Sequence, residues 1–173
     1  MAGYQIFTDA TADCGTKLAE APASVRVIPM QLEIGGQEYT YGPGGTITTE
    51  EFYTLQRAGN YATTTQIGPS VYFQFFEEAL RAGQDVLYLC FTSGMSGTFQ
   101  SAQVCADALA EAYPDRKIIC VDTLCASVGE GFLVWEAARR QAAGYSLEEL
   151  AQWVTESRLK VCHWFTVDVF DHL

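Results

Sequence analysis

The stretch Val86-Leu87-Tyr88-Leu89-Cys90-Phe91-Thr92-Ser93-Gly94-Met95-Ser96-Gly97-Thr98-Phe99-Gln100-Ser101-Ala102 decides how the chain is read. Residues 86–91 form a near-continuous apolar run, the pattern of a strand buried on both faces of a parallel sheet. Thr92, Ser93 and Gly94 interrupt it, and a helix is expected to open near Ser96 or Gly97. The spacing turns Val104, Ala108 and Leu109 inward and Gln103, Asp107 and Glu111 outward. A strand that passes through Ser-Gly-x-Ser-Gly into a helix gathers free N–H groups and small hydroxyls at the helix's positive end, which suits an anion. The turn carries no lysine or arginine, so a carboxylate fits it better than a triphosphate.

Outward from this stretch, strands and helices alternate. Tyr4 to Phe7 reads as a first strand, followed by Thr8-Asp9-Ala10-Thr11-Ala12-Asp13, whose hydroxyls and carboxylates either form a site loop at the strand's carboxyl end or, through Thr11 or Asp13, cap a short helix near Thr16 to Ala21. Val25 to Ile34 is a second apolar run that Pro29 should bend or push to an edge, and Gly35-Gly36 turns it into a hairpin with Gln37 to Tyr41. Thr48 with Glu51 offers a capping box for a helix through Arg57. Tyr61 to Gly68 shows no periodicity. Pro69-Ser70 then opens a helix whose apolar face is Tyr72, Phe73, Phe76, Ala79 and Leu80.

Beyond the central helix, Lys117 to Val121 reads as another buried strand, and Asp122 to Gly131 leads into a helix through Gln141 that Gly144 ends. Ser146 with Glu149 caps a last helix to about Leu159, and Val161 to Val167 reads as one more strand. The alternation predicts an α/β fold, a mostly parallel sheet flanked by helices.

Composition narrows the function. Acidic residues outnumber basic ones 21 to 10, a net charge of −11, and the basic residues form no patch, so a nucleic-acid role is excluded. No apolar run approaches the roughly 20 residues that span a bilayer. No basic-then-apolar leader opens the chain, so a cytoplasmic location without membrane insertion is expected. The six cysteines, Cys14, Cys90, Cys105, Cys120, Cys125 and Cys162, contain no Cys-x-x-Cys pair and are read as reduced and mostly buried. The ligand spacing for a metal is missing, and no metal or other cofactor is expected.

Chemistry therefore falls to neutral hydroxyls: Thr63, Thr64, Thr65, Ser93, Ser96 and Thr98. Ser96 lies one residue short of a Gly-x-Ser-x-Gly elbow, and no histidine appears before His163 to serve as its base. Hydroxyls at a helix start can instead hold a carboxylate, each charge-assisted hydrogen bond being worth about 1.5–3 kcal/mol. Phe73, Phe76, Phe91, Met95 and Phe99 offer an apolar neighbourhood for a tail, and Asp9 reads as an organiser behind the hydroxyls. Two other readings stay open: a serine-dependent hydrolase or transferase using Ser93 or Ser96, and a regulatory interaction module working through the acidic surface.

Several segments together resemble the DegV family. They are Phe7 to Asp13, Glu51-Phe52-Tyr53, Thr64-Thr65-Gln66, Ser93 to Ala102, Asp122 to Gly131, and Phe165-Thr166-Val167-Asp168, in the family's order. The resemblance implies a non-catalytic protein that holds a long-chain fatty acid and, where a fatty acid kinase is present, offers the carboxylate to it for phosphorylation by ATP. It implies Ser93 and Thr64 as carboxylate ligands, with Gly94 adding a backbone N–H; together with the hydroxyls above, the expected site is Thr64, Thr65, Ser93, Gly94 and Ser96, with Asp9, Asp122 and Ser127 behind them. Ala10 and Thr65 stand where the family usually has serine. Family chains continue into a second domain, so residues 1–160 are expected to form the α/β N-terminal domain and 161–173 the start of the next. Weak lipid binding and self-association through an exposed groove follow as expectations.

Overall fold

The computed structural model describes residues 3–13 and 25–166. Four strands form a parallel sheet in the order β2-β1-β6-β7: β1 (Tyr4–Asp9), β2 (Val25–Ile28), β6 (Asp85–Cys90) and β7 (Ile118–Asp122). Cys90 pairs with Asp122 at the carboxyl edge, where Asp9 ends its own strand. Strands buried on both faces need apolar residues at every position, and β6 answers with two sets. Val86, Tyr88 and Cys90 join Phe7 and Ile28 on the face covered by α2 (Pro69–Arg81) and α3 (Thr98–Ala112). Leu87 and Leu89 join Ile6 and Val121 on the face covered by α4 (Ser127–Ala142) and α5 (Leu147–Ser157). Each fully buried leucine or phenylalanine contributes about 1.5–3 kcal/mol, so this strand anchors both layers.

A second, antiparallel sheet of three strands has the order β4-β3-β5: β3 (Met30–Ile34), β4 (Gln37–Tyr41) and β5 (Ala62–Thr64). Pro29 separates β2 from β3, so the run from Val25 to Ile34 is divided between two sheets at the residue that lacks an N–H. Helix α1 (Thr49–Arg57) covers this sheet through Phe52 and Leu55, around Leu32, Ile34 and Ile47. Both expected capping boxes form, Thr48 with Glu51 and Ser146 with Glu149.

Four expectations need correction. The buried stripe of α3 is Ala102, Cys105, Ala106 and Leu109, whereas Val104 and Ala108 face solvent. Small residues fill that stripe because α3 packs closely on α2 and β7, and a hydropathy pattern weighted to valine misses them. Phe73 is partly exposed at the edge of the α2 face. Residues 62–64, read as aperiodic, add an edge strand. Residues 161–166 form no strand; they follow a 3₁₀ turn at Arg158–Lys160. Asp9 caps a 3₁₀ turn at Ala10–Ala12. The helix expected near Thr16 to Ala21, Cys14, and Val167 and Asp168 lie outside the described residues.

Candidate functional site

The carboxyl ends of the parallel strands and one face of the small sheet enclose a cavity of about 720 Å³. Its apolar wall comprises Met30, Leu32, Tyr41, Phe52, Tyr53, Ile67, Phe91 and Met95. Hydroxyls and amides enter from two segments, Thr64-Thr65-Gln66 at the end of β5 and Ser96-Gly97-Thr98 at the start of α3, while Asp9, Thr11, Asp13 and Ser127 lie on the opposite side of the lining. No lysine, arginine or histidine lines it among the described residues.

Sheet register explains which threonine reaches the cavity. Thr64 stands opposite Leu32 and Thr63 opposite Glu33. Facing residues share a side, so Thr64 turns with Leu32 toward the cavity and Thr63 turns away. The Thr65 N–H donates to the Gln31 carbonyl at 3.4 Å, which holds the segment past the strand's end. The hydroxyls of Thr64 and Thr65 make no hydrogen bond among the described residues. They are exposed donors on the rim of an apolar space.

Across the cavity, Ser96 Oγ lies 2.8 Å from Thr98 Oγ1 and accepts from the Thr98 N–H at 3.2 Å, taking up one of the orphan donors at the start of α3. Gln66 joins the two segments, and the sequence reading gave it no role. Its Nε2 donates to Ser101 Oγ at 3.5 Å, and its Oε1 packs so closely on Gly97 that a Cβ there would lie 2.3 Å from it. A side chain at residue 97 would push the Gln66 amide out of that contact.

Ser93, Gly94 and Asp122 fall outside the cavity lining. The Ser93 N–H donates to Asp122 Oδ1 at 3.2 Å, and the Leu124 N–H to the same oxygen at 3.0 Å. The Gly94 N–H, expected to face a ligand, donates to Thr92 Oγ1 at 3.2 Å, a local turn that competes for the same donor. Ser93 Oγ is half-buried and without a hydrogen bond among the described residues. Ser127 lines the cavity in a left-handed conformation (φ 49°) and donates to Asp13 Oδ2 at 2.8 Å.

Asp9 is fully buried and links two strand ends. Its Oδ2 accepts from the Tyr88 hydroxyl at 2.8 Å and the Phe91 N–H at 3.2 Å. Its Oδ1 accepts from the Thr11 N–H at 3.1 Å and from the Thr11 hydroxyl. Burial raises the Tyr88 phenol well above its ordinary value, with the Asp9 charge adding to the effect, so Tyr88 acts here as a donor. Burial also pushes the Cys105 and Cys120 thiols up to about 12 and Cys125 to about 11. These thiols are poor nucleophiles. The described cysteines are free, and Cys162 is the exposed one among them.

His163, the described histidine, accepts from the Ala126 N–H at 3.5 Å and lies over Gly129, and among the described residues no hydrogen bond joins it to Ser93 or Ser96. Among the described residues no group of His, Cys, Asp and Glu is arranged to hold a metal ion, and no helix is long and apolar enough to cross a membrane.

A parallel α/β layer with a hydroxyl-rimmed apolar cleft at its strand ends is the class that fold and site define. The chain belongs to the DegV family, described as uncharacterised proteins, whose pattern it matches over residues 4–173. A DegV domain-containing protein of Clostridium perfringens is 36% identical over 173 residues, which is 100% of this chain and 59% of the relative. One from Caldanaerobacter subterraneus is 33% identical over 168 residues, 97% of this chain and 58% of the relative. The chain thus spans less than two thirds of the length of these relatives.

Among solved structures, a DegV family protein of Thermus thermophilus described by its fatty acid binding has 31% identity and a TM-score of 0.73, over 90% of this chain and 53% of that one. The fatty acid kinase B3 protein of Streptococcus pneumoniae, solved loaded with linoleic acid, shares the fold at 21% identity and a TM-score of 0.77, over 92% of this chain and 55% of that one.

Proposed function

We propose that this chain binds a long-chain fatty acid and has no catalytic role of its own. The observation that carries the reading is the pair of hydroxyls, Thr64 and Thr65, unpartnered among the described residues, on the rim of an apolar cavity that no Lys, Arg or His among them lines. In this arrangement the carboxylate rests on Thr64 and Thr65 and faces Ser96 across the cavity. Ser93 and Gly94 join it once their turn releases its own hydrogen bonds. Asp9 and Ser127 brace the opposite side, and Asp122 braces the Ser93 turn. The tail lies along Leu32, Phe52, Phe91 and Met95, where each buried CH₂ contributes about 0.8 kcal/mol.

Neutral donors leave the bound carboxylate its charge and its reactivity. That suits presentation to a fatty acid kinase, the partner we infer, in the cytoplasm. Membership of the DegV family and likeness to the Thermus thermophilus protein support the reading. Because the cavity opens to solvent, binding by these 173 residues is weak, and the open apolar wall favours self-association.

Native mass spectrometry with added oleate tests the reading. The expected result is a saturable one-to-one complex of modest affinity that Thr64→Ala with Thr65→Ala weakens about tenfold or more, the worth of one charge-assisted hydrogen bond. No saturable complex, or one indifferent to both substitutions, overturns it. A tight complex removes the inference of weak binding alone.

A further inference from the structure

One buried acid next to the cavity has no part in the proposed carboxylate site. Glu130 lies in the first turn of α4 and is fully buried. Its Oε1 is 3.1 Å from Thr8 Oγ1 and its Oε2 is 3.1 Å from Thr11 Oγ1. Thr11 Oγ1 is also hydrogen-bonded to Asp9 Oδ1. A threonine hydroxyl carries a single proton, so it cannot donate to both carboxylates. It donates to one and accepts from the other.

The backbone decides which. Asp9 receives the N–H groups of Thr11 and Phe91, donors that cannot reverse, together with the Tyr88 hydroxyl, so its oxygens are acceptors. Glu130 is bonded to hydroxyls, which can accept. We propose that Glu130 is a positioning residue kept as a neutral acid, whose O–H donates to Thr11 Oγ1 while the Thr11 hydroxyl donates its own proton to Asp9, and so fixes the turn that lines the cavity.

The surroundings favour this state. Asp9 and Asp13 face Glu130 from the end of β1 and its turn, Cys90 from the end of β6, and Cys125 from the loop before α4. His163 covers Gly129, the preceding residue, and binds the Ala126 N–H. Burial first, then the Asp9 charge, hold the Glu130 carboxyl well above the usual carboxylate range, while the hydroxyls of Thr11 and Thr8 oppose the shift. Loss of the proton places a second negative charge against Asp9 with one threonine proton between them. The turn at Ala10–Ala12 then loses its link to α4.

The inference rests on the fatty-acid reading only for its effect on binding, so the test separates the two. Infrared difference spectra of the whole 173-residue chain, wild type against Glu130→Gln, read the proton directly. A protonated-carboxyl stretch at neutral pH, absent from the variant, is expected. The Thr11 amide resonance, followed by NMR without ligand, is expected to shift as pH rises in wild type and to stay fixed in Glu130→Gln, where the amide still donates to Thr11. Oleate affinity should fall about fivefold more in wild type than in Glu130→Gln across that rise, the worth of one hydrogen bond. Comparing the two chains cancels the probe's own titration.

A missing carboxyl stretch, or a Thr11 amide that titrates alike in both chains, overturns the inference whether or not oleate binds. No oleate binding by either chain, with the stretch and the shift present, counts against the fatty-acid reading instead and leaves the proton assignment supported.

Discussion

Two groups of hydroxyls, one reaching the cavity through Thr11 alone and one standing on its rim, are built in opposite ways. At the β1 end, Thr8, Thr11 and Tyr88 spend their protons on Asp9 and Glu130, and both carboxyls are fully buried. At the β5 end, Thr64 and Thr65 are exposed and unpartnered among the described residues. The residue types are similar; the balance of donors and acceptors differs. Where water is excluded, an unmatched polar group is costly, so the β1 junction closes on itself. Where water reaches, hydroxyls can wait for a ligand at no such cost.

Breaking the closed side should have the largest effect. Asp9→Ala leaves the Tyr88 hydroxyl and the Phe91 and Thr11 amides without their acceptor, and each buried unsatisfied group costs about 1–3 kcal/mol. A loss of about 3 kcal/mol or more in urea unfolding is expected; a loss under about 1 kcal/mol would mean that water replaces the carboxylate.

Next comes the seam between the two hydroxyl-bearing segments. Gly97→Ala sets a methyl against Gln66 Oε1, the end of a flexible and exposed side chain that can swing aside, so it should cost only about 0.5–1 kcal/mol while breaking the Gln66–Ser101 link and weakening oleate binding. Adding Gln66→Ala in the same chain should recover most of the stability, measured by thermal unfolding. If it does not, the strain lies elsewhere in the α3 start.

The open side should respond in binding alone. Thr64→Ala is expected to leave stability within about 0.5 kcal/mol of wild type, as exposed substitutions do. Oleate affinity should nevertheless drop about tenfold. Equal losses in both quantities would place Thr64 with the structural group.

The mildest effect near neutral pH is that of Glu130. Its folded-state pKa is raised above its ordinary 4.5, so the folded chain holds a proton that the unfolded chain has released. The stability this proton supports is fully present below that ordinary value and is lost as pH rises through the folded pKa. Glu130→Gln should flatten the slope in thermal unfolding measured against pH, and an unchanged slope would assign it to another group.

Much of this architecture was legible in the sequence because it rests on local chemistry. The apolar run at 86–91 marked the central strand, Pro29 marked a break, and the Thr48–Glu51 and Ser146–Glu149 pairs marked two helix starts. What escaped depended on contacts distant in the chain. The edge strand at 62–64 exists because β3 offers it a partner, which no pattern within three residues can show. The inward face of α3 is made of alanine and cysteine, whose burial reflects how near α2 and β7 approach.

The same division runs through the site. Thr64, Thr65, Ser96, Asp9 and Ser127 meet at one cavity as their positions at strand and helix ends suggested, whereas Ser93, Gly94 and Asp122 form a neighbouring turn of their own. Gln66 was visible in the sequence, directly after three threonines, but its task depends on Gly97, 31 residues away, and neither residue alone announces it. Glu130 likewise gains its meaning from Thr8 and Thr11, more than a hundred residues earlier in the chain.

The most direct measurement is an amide-resolved NMR titration of the isotope-labelled chain with oleate at neutral pH. The expected result is saturable shifts at Thr64, Thr65 and Ser96, with the amides of Thr8 and Glu130 nearly still. Shifts gathered instead at the loop Gly42-Pro43-Gly44-Gly45 beside the neighbouring hollow, or no shifts at Thr64 and Thr65 under saturation, would contradict a carboxylate site on the hydroxyl rim.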